Sequence, residues 1–302
     1  MSHRSALHLL RRPFQGMFSK SVAQALYFFL GTPFISCLEF DMDTSIQSVK
    51  NPRIIAAAKL KQTSERKKSG LFLIEGTHAI QEVLATQWPI DSVFMTEPWH
   101  QQHCELATFL SKTATCFLVP NEVLCKVAHS ETPDGVIAIG KEGALINKAS
   151  PMQINLAIAL EQVQDPGNLG ASIRSSVASG ADGVFLGEGC VDPTSPKVLR
   201  ASVGQWFRQP PRRVSLPTWI KNCQLSGVKV YGAAAHGTCY WDLDFRGPTI
   251  FVLGNEGAGL SQETLGMVDG VVAVPMQPGV ESLNVAMTAT LLLYEARRQR
   301  SQ

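Results

Sequence analysis

The stretch that most constrains this chain begins at Ile154, where INLAIALEQV sets the unbroken apolar run LAIAL between polar ends. A strand that is apolar on both faces has to be covered on both faces, which is the situation of a central strand in a parallel sheet flanked by helices. The residues that follow keep to this pattern. ADGVFLG, VKVYGAAAHG, TIFVLGNEGAGLS and VVAVPMQPG read as further strands, each running into a glycine-bearing loop. DPGNLGASIRSSVASG and DPTSPKVLRASVGQWF supply the helices between them. Such sheets hold their ligands outside the carboxyl ends of the strands. The expectation is an α/β domain over residues 151–302 whose site is built from glycine loops.

A second alternation precedes it. GLFLIEG, DSVFMT, ATCFLVP and DGVIAIG read as strands, THAIQEVLAT as a helix capped by Thr77, and NEVLCKVA as a helix from Asn121. Together they predict a small α/β sandwich over 46–145, joined to the second domain by KEGALINKASP. Residues 46–69 read as one basic helix begun after Asn51-Pro52. A chain of 302 residues, 45% hydrophobic, can furnish two cores.

The net charge is only +2, so no global field forces a nucleic-acid reading. The distribution is uneven: residues 1–70 hold 11 Lys/Arg against four Asp/Glu, and residues 193–213 hold five against none. Local basic stripes can track a phosphate backbone, and an ordinary solvated surface accounts for them equally well. Arg53, Lys59, Lys61, Arg66, Lys67, Lys68, Lys197 and Arg200 are the candidate phosphate contacts.

Seven cysteines are scattered without a Cys-x-x-Cys, which argues against a zinc ribbon, a redox pair or a disulfide scaffold and for a reducing compartment. HQQHC (100–104) lacks a second half-site, so no metal is expected. Residues 1–41 carry no acid before Glu39 and interleave Arg with Ser and Phe. Residues 1–45 read as an extension outside both domains, with residues 1–41 either a transit peptide for plastid or mitochondrion or a stretch ahead of a natural start at Met42, which leaves the protein cytoplasmic. Residues 22–38 are at the short end for a membrane span and contain Gly31 and Pro33, so no membrane partner is expected.

Three loops of the second domain carry the chemistry. In DPGNLGASIR (165–174), Asp165-Pro166-Gly167 turns the chain, Asn168 is placed to cap the helix, and Arg174 follows within two helical turns. LGNEGAGLS (253–261) lacks the Lys-Ser/Thr of a phosphate loop and the glycine spacing of a dinucleotide site. Gly254, Gly257 and Gly259 allow close approach to a ligand, and Glu256 favours a neutral or cationic one. In VPMQPGVESLN, Ser282 and Asn284 stand at the mouth of the last helix, where backbone amides face a polar group.

DPGNLGASIRSS, FVLGNEGAGLS and VPMQPGVESLNVAMTATLLLYE together resemble the three motifs of the SpoU (TrmH-type) RNA ribose 2′-O-methyltransferases of the SPOUT superfamily. NPRIIAAAKLKQTSERKKSGLFLIEGTHAIQEVL is similar to the substrate-binding domain of many members, which folds like the kink-turn-binding ribosomal proteins. Asn255 stands where many members carry Ser. The resemblance implies a C-terminal α/β domain with a deep trefoil knot, and S-adenosyl-L-methionine held by the backbone around Ala234, Ala235, Gly237, Leu253, Gly254, Asn255, Gly257, Gly259, Val274, Met276, Leu283 and Asn284. It further implies a catalytic set of Arg174, Asn168, Glu256, Ser282 and Asn284, with Asn168 orienting Arg174 or the target ribose, Glu256 fixing the loop and Arg174, and no metal. A homodimer acting on RNA is implied as well, with 23S-type ribosomal RNA favoured over transfer RNA. The alternative from another class is an RNA-binding assembly protein without turnover. Because the cofactor loops all follow Pro151, removal of residues 1–150 is expected to spare cofactor binding and weaken RNA binding.

Overall fold

The computed structural model describes residues 45–142 and 154–301; the expectations for residues 1–41 and for most of the connecting segment fall outside the described residues. Helix α1 (Pro52–Lys59) starts under Asn51, whose side-chain oxygen accepts from the Arg53 amide at 2.9 Å, with proline at the first helical position. The helix ends at Leu60, and α2 (Thr63–Ser69) follows after a turn and closes on left-handed Gly70. The single basic helix expected over 46–69 is therefore two short ones. The reason is Arg66. Its Nη1 donates to the freed carbonyls of Leu60 and Lys61 at 2.8 and 2.9 Å, satisfying acceptors that a continuous helix would have kept.

The first sheet contains β1 (Leu71–Glu75), β2 (Ile90–Met95), β3 (Thr115–Leu118) and β4 (Val136–Lys141) in the order β1-β4-β2-β3. Helices α3 (Thr77–Thr86), α4 (Glu97–Gln102), α5 (Cys104–Ser111) and α6 (Asn121–Val127) complete the sandwich. Thr77 is the first residue of α3 and not its cap. Its amide donates to Asp134 at 2.7 Å, and its hydroxyl accepts from the Trp99 indole at 2.7 Å.

The second sheet is wholly parallel, in the order β10-β8-β9-β5-β6-β7, with β5 (Leu156–Leu160), β6 (Gly183–Leu186), β7 (Arg212–Arg213), β8 (Lys229–Cys239), β9 (Thr249–Leu253) and β10 (Gly270–Ala273). Every residue of β5 is buried, as its apolar run requires. Leu156, Ile158 and Leu160 face one core, shared with α7 (Pro166–Ser179) and α11 (Val285–Arg300). Ala157 and Ala159 face the other, shared with α9 (Leu216–Leu225). Helix α8 (Pro196–Ala201) packs on α7 through Gly170, where a side chain would collide with Ala201, and α10 (Gln262–Met267) follows β9.

The two domains share one core. Trp206 lies 5.2 Å from Phe72 and 5.0 Å from Trp88, centroid to centroid, and Phe207 is 5.8 Å from Trp88. Two ion pairs flank this aromatic joint: Arg66 Nη2 meets Asp192 Oδ2 at 2.6 Å, and Arg208 Nε meets Glu82 Oε2 at 2.6 Å. Gly204, left-handed at φ 75°, lets the backbone reach Glu82, whose Cγ a Cβ would approach to 2.6 Å. Removing one partner of a buried pair such as Arg66–Asp192 costs about 3–5 kcal/mol. No helix among the described residues is long and apolar enough to cross a membrane.

Candidate active site

Strand β5 lies between β6, which follows it in sequence, and β9, which the chain reaches much later. The carboxyl ends of β5 and β9 thus flank a topological switch point, where parallel sheets open a crevice. Glu161, the first residue after β5, closes one side of it. Its carboxylate accepts from the Ser261 amide and hydroxyl, both at 2.8 Å, and from the Thr264 hydroxyl at 2.7 Å. Asn255 spans the same gap, donating to the Gln162 carbonyl at 3.0 Å while its oxygen accepts from Gly257 at 2.9 Å and Ala258 at 3.2 Å. None of the three Glu161 bonds is marked in the sequence; the only signal there is an acid placed directly after an apolar strand.

Helix α7 is capped by Asp165, which accepts from the Asn168 amide at 2.8 Å. Asn168 is therefore not the cap, and its side chain is free for another task. Its Nδ2 donates to Glu256 Oε1 at 2.5 Å, and its Oδ1 accepts from Asn284 Nδ2 at 2.8 Å. Asn284 in turn caps α11, its oxygen accepting from Ala286 at 2.9 Å and Met287 at 3.3 Å. Three loops distant in sequence meet in this relay. Glu256 binds Asn168 rather than Arg174, contrary to expectation, because Asn168 lies at the helix mouth while Arg174 is nearly two turns farther along.

Arg174 is exposed and makes no ion pair or hydrogen bond among the described residues. It stands one turn beyond Gly170, the contact with α8, and next to Ser175, whose hydroxyl meets Thr290 of α11 at 2.6 Å. Arg174 is thus an exposed position flanked by the contacts of α7 with α8 and α11. Ser282 is exposed and likewise has no hydrogen bond among the described residues.

The segments expected to hold a cofactor leave adjacent strands. In the β8–β10 ladder Val271 pairs with Gly232 but Val272 pairs with Thr238, so Ala233–Gly237 leave the ladder as an excursion that includes Ala234, Ala235 and Gly237. Gly237 is tight against β10, where a Cβ would lie 2.6 Å from the Val271 carbonyl oxygen. Leu253 ends β9, and the next loop closes on itself: Asn255 and Gly259 exchange backbone bonds of 3.1 and 2.8 Å. A Cβ on Gly254 would fall on the Gly259 backbone. Gly254 is thus needed to close the loop. Val274 and Met276 are half-buried, and Gly257, Gly259 and Leu283 are exposed. Residues 233–239, 253–260 and 274–284 contain Glu256 and Glu281 but no Lys or Arg. Such a cradle repels phosphate and suits a ligand with apolar parts and a positive charge.

The basic residues divide. Arg53 lies over the Phe117 ring at 5.2 Å, and Lys59, Lys61, Lys67, Lys68, Lys197 and Arg200 are exposed. Arg66 departs from the expected set: its side chain is 3% exposed and spent on Asp192 and two carbonyls, so it joins domains and cannot reach a phosphate. Among the described residues no three His, Cys, Asp or Glu side chains cluster as metal ligands.

Residues 155–294 match the SpoU rRNA Methylase family, and residues 51–138 match the MRM3-like substrate binding domain. The chain is 39% identical to an uncharacterised tRNA/rRNA methyltransferase of Synechocystis over 84% of this chain and 94% of that protein. It is 32% identical to the 23S rRNA (guanosine(2553)-2′-O)-methyltransferase RlmP of Bacillus subtilis, over 83% and 98%. The SpoU methyltransferase AviRb of Streptomyces viridochromogenes, solved with AdoMet, superposes with a TM-score of 0.75 at 29% identity over 84% of this chain and 99% of that one. The chain belongs to the SpoU methylase family, its catalytic α/β domain preceded by a separate substrate-binding domain.

Proposed function

We propose that this protein transfers a methyl group from S-adenosyl-L-methionine to a ribose 2′-hydroxyl of ribosomal RNA, of the 23S type. The observation that carries the reading is the Asn284–Asn168–Glu256 relay, which joins three motif loops at the switch point beside a cradle free of Lys and Arg. When bound, the cofactor supplies an electrophilic methyl on a positively charged sulfur. The excursion 233–237, the 253–259 loop and residues 274–276 with Leu283 would hold it through backbone and apolar contacts, and the carboxylates of Glu256 and Glu281 suit its charge.

A ribose hydroxyl is a weak nucleophile, so the protein must position it and stabilise charge as it forms. Arg174 does the second. Its guanidinium remains protonated at any working pH and cannot serve as an ordinary base. It instead faces the alkoxide developing on the 2′-oxygen, while proton removal falls to solvent or to a substrate phosphate beside it. Asn168 keeps the α7 mouth in register with the 254–261 loop, and Ser282 contributes an unspent hydroxyl to the substrate side.

A second copy completes the working unit. Met287, Leu291 and Tyr294 recur at helical spacing on α11 and are all exposed, giving it an apolar stripe that a homodimer would cover. The return of residues 274–284 from β10, at the sheet edge, to α11 above β5 and β9 is the crossing where the family's trefoil knot would thread. Incubation with methyl-labelled S-adenosyl-L-methionine and either ribosomal or transfer RNA tests the substrate class. Label confined to ribosomal RNA is expected, and label confined to transfer RNA overturns the choice.

A further inference from the structure

Beyond the residues marked by sequence, the seam between the domains gathers basic side chains from three separate segments around Glu75. Glu75 ends β1, and α8 of the catalytic domain packs against that strand. Its carboxylate accepts from the His129 amide at 2.8 Å and the Ser130 amide at 3.1 Å, and Arg200 of α8 approaches it at 3.8 Å. Lys61 reaches across from the turn after α1 to donate to the Lys126 carbonyl at 2.9 Å, near the end of α6. Lys197 lies one turn before Arg200 on α8. Lys126 and Lys197 have no carboxylate partner among the described residues, and the one acid at the centre is occupied by two backbone amides and Arg200.

We infer that this seam is a composite phosphate-binding subsite, formed by Lys61, Lys126 and His129 of the first domain with Lys197 and Arg200 of the second, that grips the RNA backbone next to the reacting nucleotide. The inference rests on the proposed RNA methylation and adds to it Lys126 and His129, together with a location. Three observations support it. The cations are already crowded: burial and then the neighbouring Arg200 lower the His129 pKa, and burial and then Lys126 lower that of Lys61. Such crowding is unfavourable without an anion and relieved by one. The two halves of the subsite are also held in fixed relation, because the Arg66–Asp192 and Glu82–Arg208 pairs and the Trp88–Trp206 contact lock the domains behind it. Finally, α8 carries the subsite directly to α7, where Gly170 meets Ala201 one turn from Arg174. A backbone held at the seam is led towards the catalytic arginine, so the joint sets the spacing between grip and chemistry.

The test uses the full chain and a short RNA hairpin, with affinity measured against salt. In the Lys126→Ala/His129→Ala double variant RNA affinity is expected to drop about tenfold and the salt slope to become shallower by about one, since Lys126 is the permanent cation of the two. Glu75→Gln should act in the opposite sense, tightening RNA binding several-fold, which a merely structural role for Glu75 would not produce. Cofactor affinity by calorimetry and thermal unfolding should stay near wild type in the double variant, showing that the fold and the cradle are intact. In methyl transfer the double variant should raise KM for RNA and leave kcat unchanged. Unaltered affinity and slope in the double variant, alongside an active wild type, overturn the subsite and leave the enzymatic reading standing. RNA binding that responds as described in a protein unable to methylate would instead overturn the enzymatic reading and keep the subsite.

Discussion

The Asn168 side-chain amide donates to Glu256 at 2.5 Å while its oxygen accepts from Asn284 at 2.8 Å, so one residue holds the loop after β9 and the cap of α11 to the mouth of α7. Its replacement by Asp removes the donor and sets two carboxylates against each other. We expect Asn168→Asp to lower kcat/KM about 100-fold, more than Asn168→Ala, because the repulsion adds to the lost bond. Glu256→Gln keeps an acceptor oxygen and should cost less than either. Steady-state methyl transfer on ribosomal RNA ranks the three; equal losses for Asp and Ala would show that the relay's polarity is immaterial.

Arg174 has no side-chain partner to lose among the described residues, so its removal should leave the fold untouched. Arg174→Ala is expected to lower kcat by two to three orders of magnitude, the scale seen when a group stabilising developing negative charge is deleted. S-adenosyl-L-methionine affinity by calorimetry should be close to wild type. Near-normal turnover on saturating RNA would remove Arg174 from the chemistry.

Gly254 makes a different prediction from the one its motif suggests. Gly254→Ala drives a methyl into the Gly259 backbone, so the 254–259 loop must open. Cofactor affinity should fall at least tenfold even though no side chain enters the cradle, and protection of the Gly259 amide in hydrogen exchange should fall with it. Full protection together with lost affinity would point back to direct steric exclusion of the ligand.

The domain joint gives a pH signature. Burial pushes the Asp192 carboxyl up, but hydrogen bonds from Thr194 and then Arg66 outweigh it, so the folded pKa lies below the ordinary 3.8. A depressed carboxylate stabilises the folded state above its unfolded pKa and loses that contribution as pH falls through the folded value. Asp192→Asn should therefore lower Tm at neutral pH, with the gap to wild type narrowing below about pH 4. Removing residues 1–150 should be worse, since Trp206 and Phe207 would lose Phe72 and Trp88 as neighbours. The isolated second domain is expected to aggregate or melt early, and not to bind cofactor as freely as loop positions alone suggested. Light scattering and thermal unfolding check this.

Much of the architecture was legible because its signals are local. The apolar run at β5 required a doubly covered strand, and the glycine loops announced the carboxyl edge of the sheet. The three motif loops could be named from sequence, but their wiring could not. Whether Asp165 or Asn168 caps α7 depends on one turn of geometry, and Glu256 finds Asn168 only after β9 has paired beside β5. Arg66 misled for the same reason. Within a basic run it looks like its neighbours, and only the docking of Asp192, far along the chain, buries it. Glu161 was missed because its partners Ser261 and Thr264, the cap and first turn of α10, follow a strand that sequence does not place next to it.

The most direct measurement is the position of the transferred methyl. Ribosomal RNA incubated with the protein and deuterated-methyl S-adenosyl-L-methionine, then digested to nucleosides and analysed by mass spectrometry, should yield the label on the ribose 2′-oxygen of a single nucleoside. Arg174→Ala should abolish that signal while still binding the cofactor. Label on a base, or an equal ribose signal from Arg174→Ala, would contradict the account.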